Sequence, residues 1–185
     1  MKAGLVTLAV ALAAAPAWDI RIGPREEPGQ PLVIVGHVRQ DRGTPGLAGM
    51  RVHAYHADAR GDYFLPGHDK EGPRLRGTAL TNAKGEFRIT TTMPGTYEGG
   101  PPHVHFEVWG EKTPRMAFVM NLMPPVKTKP DSGSFYDRYM SQRAAPTSAP
   151  TSAWANHPLL EDAHGVLHGG YEIYLKWGIK MPAKK

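Results

Sequence analysis

The fold class is decided by one stretch of the chain, TALTNAKGEFRITTT at residues 78–92. Two apolar or β-branched segments, 78–81 and 86–92, lie on either side of Asn82-Ala83-Lys84-Gly85. Asn and Gly tolerate the positive φ that a tight connection requires. This pattern predicts two strands joined as a hairpin.

Further short extended segments lie on both sides of this stretch and are separated by Gly and Pro turns. Residues 50–57 alternate between apolar and polar side chains, which is typical of a half-buried strand. The other predicted strands are Leu32 to Val38, His103 to Trp109, Ala117 to Leu122 and Tyr171 to Trp177. No long segment repeats with the 3.6-residue period of a helix. We therefore predict an all-β protein, a β-sandwich of short, mostly antiparallel strands with long loop insertions.

The composition indicates one loop-rich domain. The 185 residues include 21 Gly and 18 Pro, and 21% of them are charged, which excludes a polytopic membrane protein. The net charge is +5, but the positive residues form no stripe interleaved with aromatics, so we expect no nucleic-acid partner. Because the chain has no cysteine, any metal site must use nitrogen and oxygen ligands.

The N-terminal segment has the organisation of a signal peptide. Lys2 precedes an apolar run from 4 to 14, and Ala15-Pro16-Ala17 is a small-x-small cleavage site. We predict a signal peptide at 1–17, export to the periplasm or medium, and a single domain at 18–185 with no membrane span in the mature chain. The repeated Ala-Pro-Thr-Ser sequence indicates a low-complexity insertion at about 144–155.

The segment most suggestive of chemistry contains two histidines, His103 and His105, at the start of a predicted strand. Strand geometry places both imidazoles on one face, with Cα atoms ~6.6 Å apart, close enough to share a metal ion. Gly95, Gly99 and Gly100 allow Tyr97 to approach the same strand end. The spacing alone is also compatible with an ordinary strand, and Tyr63 and Tyr97 with half-buried loop anchors.

Taken together, these segments resemble a known family, the intradiol ring-cleavage catechol dioxygenases such as protocatechuate 3,4-dioxygenase and catechol 1,2-dioxygenase. The matching segments occur in the family's order. They are GHV at 36–38, VHAYHADARGDY at 52–63, RG at 76–77, TNAKGEFRITT at 81–91, PGTY at 94–97 and PHVHF at 102–106.

The resemblance implies a mononuclear non-haem Fe(III) held by two tyrosines and two histidines. The family's ligands fall on Tyr63, Tyr97, His103 and His105. Phenolate is a hard anionic donor that suits a trivalent ion. By the same resemblance, Tyr97 leaves the metal and accepts a substrate proton, and a catechol-type ring is opened by O2 between its two hydroxyl-bearing carbons.

Three features differ from the family's usual pattern. The family's arginine just before Pro-x-His-x-His is absent, and the sequence offers Arg76, Arg88 and Arg115 as unranked replacements. Asn121 stands near the place of the family's glutamine. The third difference is the predicted export, which suggests extracellular aromatics such as lignin-derived catechols as substrates.

Two other functions are compatible with the sequence. A non-catalytic transthyretin-like or regulatory β-sandwich would share the strand-and-turn pattern, but such domains lack the pair formed by His103 and His105. A homologue that binds a metal without turnover is the second alternative, because the usual arginine is missing.

Overall fold

The structure is a computed structural model that describes residues 17–127 and 154–182. Within these residues the chain forms ten strands and two short 3-10 helices, Asp69–Glu71 and Leu175–Trp177. The strands are β1 (Asp19–Arg21), β2 (Pro31–Arg39), β3 (Arg51–His56), β4 (Leu75–Leu80), β5 (Glu86–Thr92), β6 (His103–Trp109), β7 (Met116–Lys127), β8 (Trp154–Glu161), β9 (Leu167–Tyr174) and β10 (Ile179–Lys180). The all-β prediction is confirmed.

The described strands form one continuous mixed sheet in the order β1-β5-β2-β9-β8-β7-β6-β3-β4, with β10 paired to β7. The β1–β5, β2–β9 and β7–β8 pairs are parallel, and the other pairs are antiparallel. The sheet curls until its two ends meet, where the Leu80 N–H donates to the carbonyl oxygen of Ala17 at 3.2 Å. The predicted sandwich is therefore a single sheet that nearly closes into a barrel.

The core lies inside this curled sheet and is filled by alternate residues of its strands. On β6, Val104, Phe106 and Val108 are at most 1% exposed, whereas the residues between them are only partly buried. Each fully buried apolar side chain of this kind stabilises the fold by ~1.5–3 kcal/mol. Because side chains alternate along a strand, His103 and His105 lie on the outer face of the sheet.

The tight connection at 82–85 forms as predicted, but β4 and β5 do not pair as a hairpin. The Asn82 side-chain oxygen accepts hydrogen bonds from the N–H groups of Lys84 and Glu86 at 2.9 and 3.0 Å, and Gly85 has φ +78°. Strand β4 pairs with β3, and β5 pairs with β1 and β2. The hairpin prediction is wrong because the segment 17–21 lies between the two strands. Within it, β1 pairs with β5, and Ala17 accepts a hydrogen bond from Leu80 of β4.

Other boundaries differ from the prediction. Strand β7 continues to Lys127 through an irregularity between Leu122 and Pro125, and β8 was not expected. Residues 175–177 form a 3-10 helix rather than the end of the last predicted strand. The predicted signal peptide, apart from its last residue, lies outside the described residues, as does the insertion at 144–155 up to the start of β8.

Within the described residues, no helix is long and apolar enough to cross a membrane.

Candidate metal centre and active site

The two histidines are placed by the antiparallel pairing of β6 with its neighbours. His103 lies opposite Asn121 on β7, and His105 lies between Val119 on β7 and Tyr55 on β3. Residues directly opposite each other in a sheet project from the same face. The rings of Tyr55 and His105 stack, with centroids 4.8 Å apart and planes inclined by 10°.

Tyr63 is brought to this face by the segment that follows β3. The Asp58 carboxylate accepts hydrogen bonds from the N–H groups of Arg60 and Asp62 at 2.9 and 3.0 Å. These bonds curl residues 58–62 into a compact turn. Tyr63 itself is 8% exposed.

Two glycines allow this turn to pack directly on the segment that carries Tyr97. Gly61 has φ +97°, and a Cβ built there would lie 2.2 Å from the carbonyl oxygen of Thr96. A Cβ at Gly95 would lie 2.6 Å from the carbonyl oxygen of Ala59. The Gly95 N–H also donates to the carbonyl oxygen of Asp58 at 2.8 Å. The backbones of the two segments thus approach more closely than any side chain would permit.

Three of the four predicted ligands converge. The Tyr63 hydroxyl lies 3.1 Å from His103 Nε2, and His103 Nε2 lies 3.1 Å from His105 Nε2. The ring of Tyr97 meets that of Tyr63 edge-on, with centroids 4.9 Å apart, and Tyr97 is 39% exposed. Among the described residues, no hydrogen bond links the Tyr97 hydroxyl to the imidazole of His103 or His105.

The orientation of His103 and the neutral form of His105 suit metal ligands, whereas the Tyr63 hydroxyl of the metal-free protein is protonated at pH 7. His103 Nδ1 lies 2.8 Å from the carbonyl oxygen of Pro101, which can only accept, so the Nε2 lone pair faces the other donors. Burial, and secondarily the nearby His103, lowers the pKa of His105 to about 4, so its imidazole is neutral at pH 7. Burial, followed by the charges of Tyr55 and Tyr97, raises the pKa of Tyr63 to about 12. A bound cation would reverse that effect.

This donor set fits a hard cation. In the described part of the chain, no group of three or more His, Cys, Asp or Glu side chains could hold a metal. The donors that converge here are one tyrosine oxygen and two imidazole nitrogens. Two donors that bind one ion at ~2.1 Å and at a right angle are ~3.0 Å apart. The observed spacings of 3.1 Å agree with that value. Phenolate oxygen and imidazole nitrogen suit ferric iron.

Comparison with known proteins assigns the chain to a family. Residues 10–120, more than half of the chain, match the Dioxygenase family. The chain belongs to the intradiol dioxygenase family. It is 36% identical over 92 residues to chlorocatechol 1,2-dioxygenase of Pseudomonas sp. (strain P51), a match that covers 48% of this chain and 36% of that protein. It is 32% identical over 123 residues to catechol 1,2-dioxygenase 1 of Acinetobacter lwoffii, covering 56% of this chain and 39% of that protein.

The matched region therefore spans about two fifths of the length of these curated relatives. Among solved structures, the dioxygenase domain of a dioxygenase carbohydrate-binding protein fusion from Streptomyces sp. SirexAA-E has a similar fold. It superposes with a TM-score of 0.57 at 21% identity, and the match covers 86% of each chain. At this identity the likeness concerns the fold alone.

Among the described residues, the three arginines proposed from the sequence form their hydrogen bonds and ion pairs with groups other than the four predicted ligands. Arg76 donates to the carbonyl oxygens of Glu71 and Pro73. The other two form ion pairs: Arg88 with Asp19 at 2.8 Å, and Arg115 with Glu107 at 2.6 Å. These contacts do not rank the three arginines as replacements for the usual arginine of intradiol dioxygenases.

A cavity of about 880 Å³ adjoins the site on the side of Tyr63 and Tyr97. The apolar side chains of Phe64 and Leu65 contribute to its wall. Its arginines are Arg60 and Arg74, and the histidines do not line it. A cavity of this size is ample for a small aromatic diol.

Sequence reasoning missed Tyr55 and Arg74. Tyr55 could have been found from the alternation of β3, since it lies on the outer face, but its partner His105 follows only from the strand pairing. Arg74 donates to Glu27 through two hydrogen bonds of 2.7 Å, across 47 positions of sequence. No local pattern signals a contact of that kind.

The ionisation of Glu27 leads to one prediction about the free energy of unfolding. Hydrogen bonding by Arg74 lowers the pKa of Glu27 below its ordinary value of 4.5, against the opposing effect of burial. A carboxylate with a depressed pKa stabilises the fold above its unfolded pKa, and this stabilisation is lost as the pH falls through the folded value. We expect the Glu27→Gln variant to be less stable than wild type near neutrality, and the difference to shrink below pH 4.5.

The measurement is urea unfolding of both proteins at about pH 7 and about pH 3.5. A difference in unfolding free energy that is equal at both pH values would contradict the expectation.

Proposed function

We propose that this protein is a non-haem iron(III) dioxygenase that opens a catechol-type ring between its two hydroxyl-bearing carbons and incorporates both atoms of O2. The observation that carries the proposal is the convergence of Tyr63 Oη, His103 Nε2 and His105 Nε2 within successive distances of 3.1 Å. Membership of the intradiol dioxygenase family supports this reaction class.

In this proposal Tyr63, His103 and His105 hold the iron throughout. Tyr63 is buried between the rings of Tyr55 and Tyr97, and His103 is oriented by the carbonyl oxygen of Pro101. The iron, when bound, supplies the Lewis acidity and electron acceptance that make a diol ring reactive toward O2. The protein's own contribution is to fix the donors and to orient the diol.

Tyr97 would be the fourth residue to hold the iron and the one to give way to the substrate. It is the most exposed of the four, and Glu98, which follows it, has φ +49°, a backbone conformation uncommon outside glycine. A hydrogen bond with the Glu98 carboxylate, together with its charge, raises the pKa of Tyr97. A raised pKa favours the protonated phenol, so Tyr97 suits the role of receiving the proton that leaves a substrate hydroxyl.

Asn121 lies beside the site, directly opposite His103 in the β6–β7 pairing. Paired residues of neighbouring strands project from the same face of a sheet, which supports a position of the Asn121 side chain near a bound diol. We propose that it orients the substrate. Export of the enzyme stays a prediction from residues 1–17, which N-terminal sequencing of the purified protein would check.

The first test is the visible spectrum of the protein after reconstitution with Fe(III). We expect a tyrosinate-to-iron band that shifts when catechol is added without O2. On admission of O2, one molecule of O2 is consumed per catechol, and 18O labelling places both atoms in a muconate-type product.

The outcomes separate the alternatives. A protein that stays colourless with iron would overturn the proposal and favour a non-catalytic β-sandwich. A coloured protein that binds catechol without forming product would favour the inactive homologue, for which the missing arginine is the structural reason.

A further inference from the structure

A partly buried ion-pair cluster lies next to the segment that carries Tyr63. Arg74 donates from Nη1 and Nη2 to the two carboxylate oxygens of Glu27 at 2.7 Å each, and from Nη2 to Asp58 Oδ2 at 3.3 Å. The side chains of Glu27 and Asp58 are 5% and 8% exposed. The cluster joins the segment before β2, the turn after β3 and the start of β4.

Arg74 holds both ends of the segment 58–63. Its guanidinium group binds the carboxylate of Asp58, whose other oxygen organises the turn. Its backbone N–H donates to the carbonyl oxygen of Tyr63 at 2.8 Å. Residue 74 therefore contacts both ends of this segment, Asp58 through its guanidinium group and Tyr63 through its backbone, and Glu27 anchors the guanidinium group. Arg60 also pairs with Asp58, at 3.5 Å.

The energetics argue that this cluster serves geometry more than stability. Removing charges from water is costly, and apolar residues of similar volume often stabilise a fold equally well. A bidentate guanidinium pair, in contrast, defines the direction of each hydrogen bond. The segment that it fixes ends at Tyr63, whose hydroxyl lies 3.1 Å from His103 Nε2.

We infer that Arg74 is a positioning residue, anchored by Glu27, which holds the Tyr63 hydroxyl at the distance from His103 and His105 that metal binding requires. This inference rests on the proposed function in one respect, namely that the three donors share an iron. The restraint on the turn itself is a property of the metal-free protein.

Arg74→Lys tests the inference because it keeps the positive charge and removes the bidentate fork. Arg39→Lys is the matched control: both arginine side chains are 27% exposed, and Arg39 pairs with Glu172, which is 14% exposed against 5% for Glu27, on the β2–β9 part of the sheet. In metal-free protein, hydrogen exchange of the Asp62 N–H and of the backbone N–H at position 74 should accelerate in Arg74→Lys and not in Arg39→Lys.

With iron, we expect Arg74→Lys to lower the affinity ~10–100-fold, measured by competition with a chelator, and to shift the tyrosinate band. Arg39→Lys should leave both unchanged even where it lowers the melting temperature equally. If Arg74→Lys does not fold, Glu27→Gln serves instead. It removes the carboxylate that anchors Arg74 and leaves Arg74 paired with Asp58.

Unchanged exchange at Asp62 together with unchanged iron affinity would overturn the inference, as would equal changes in the Arg39→Lys control. Faster exchange in a protein whose wild type binds no iron would instead reject the proposed function and leave the restraint on the turn established.

Discussion

The Gly95→Ala variant is expected to lose the proposed iron centre although none of the four predicted ligands is altered. The new Cβ would lie 2.6 Å from the carbonyl oxygen of Ala59 and 2.7 Å from the backbone nitrogen of Gly61. Because both contacts are with backbone, the clash is relieved only by separating the two segments, which moves Tyr97 away from Tyr63. We expect the iron affinity to fall more than ~100-fold, beyond the loss usual for residues that support a ligand.

Gly100→Ala is the control in the same loop. Its Cβ would lie 3.4 Å from the carbonyl oxygen of Tyr97, an ordinary contact, and its φ is not positive. A second pair separates the clash from backbone strain: Gly61 and Gly67 both have positive φ, but only Gly61 meets a neighbouring backbone. If Gly95→Ala binds iron as tightly as Gly100→Ala, the close packing of the two segments does not define the site.

Tyr63→Phe is expected to abolish iron binding and ring cleavage while leaving the fold intact. The substitution removes one hydroxyl and its hydrogen bond to His103, which contributes ~1 kcal/mol to stability. The phenyl ring retains its contacts with Tyr55 and Tyr97. Since an anionic oxygen donor is lost, iron affinity and product formation should each fall more than ~100-fold.

Iron content per chain, the tyrosinate band and the rate of product formation are the measurements. Tyr55→Phe is the matched control, because Tyr55 is partly buried and its ring stacks on His105, yet its hydroxyl is not among the converging donors. A Tyr63→Phe protein with wild-type iron content and colour would show that Tyr63 is not a ligand. The same loss in Tyr55→Phe would show that the effect comes from packing.

The sequence predicted most strands because the alternation of apolar and polar residues is a local property. Strand β5 was predicted with its observed ends, and β6 likewise, since turn residues or prolines bound both. The position of His103 and His105 on one face follows from strand geometry and needs no tertiary information.

The failures concern partners rather than strands. The segment 78–92 contains a sound turn signal, and the turn forms, yet its flanking strands pair elsewhere because β1 lies between them. Strand β8 was not predicted because apolar and polar side chains alternate only weakly along residues 154–161. The strand is held instead by its pairing with β7 and β9. The sequence offered Arg76, Arg88 and Arg115 as unranked replacements for the family's arginine, whereas the arginines that line the cavity are Arg60 and Arg74.

By itself the sequence determined the all-β class, the donor types available to a cysteine-free site, and the common face of the two histidines. Only the tertiary structure decided that Tyr63 meets His103 across 40 positions of sequence, and that Arg74 joins Glu27 to Asp58. The physical reason is that strand propensity and side-chain alternation act over a few residues. Which strand edges pair, and which charges are buried together, depends on hydrogen bonds and exclusion of water between segments far apart in the chain.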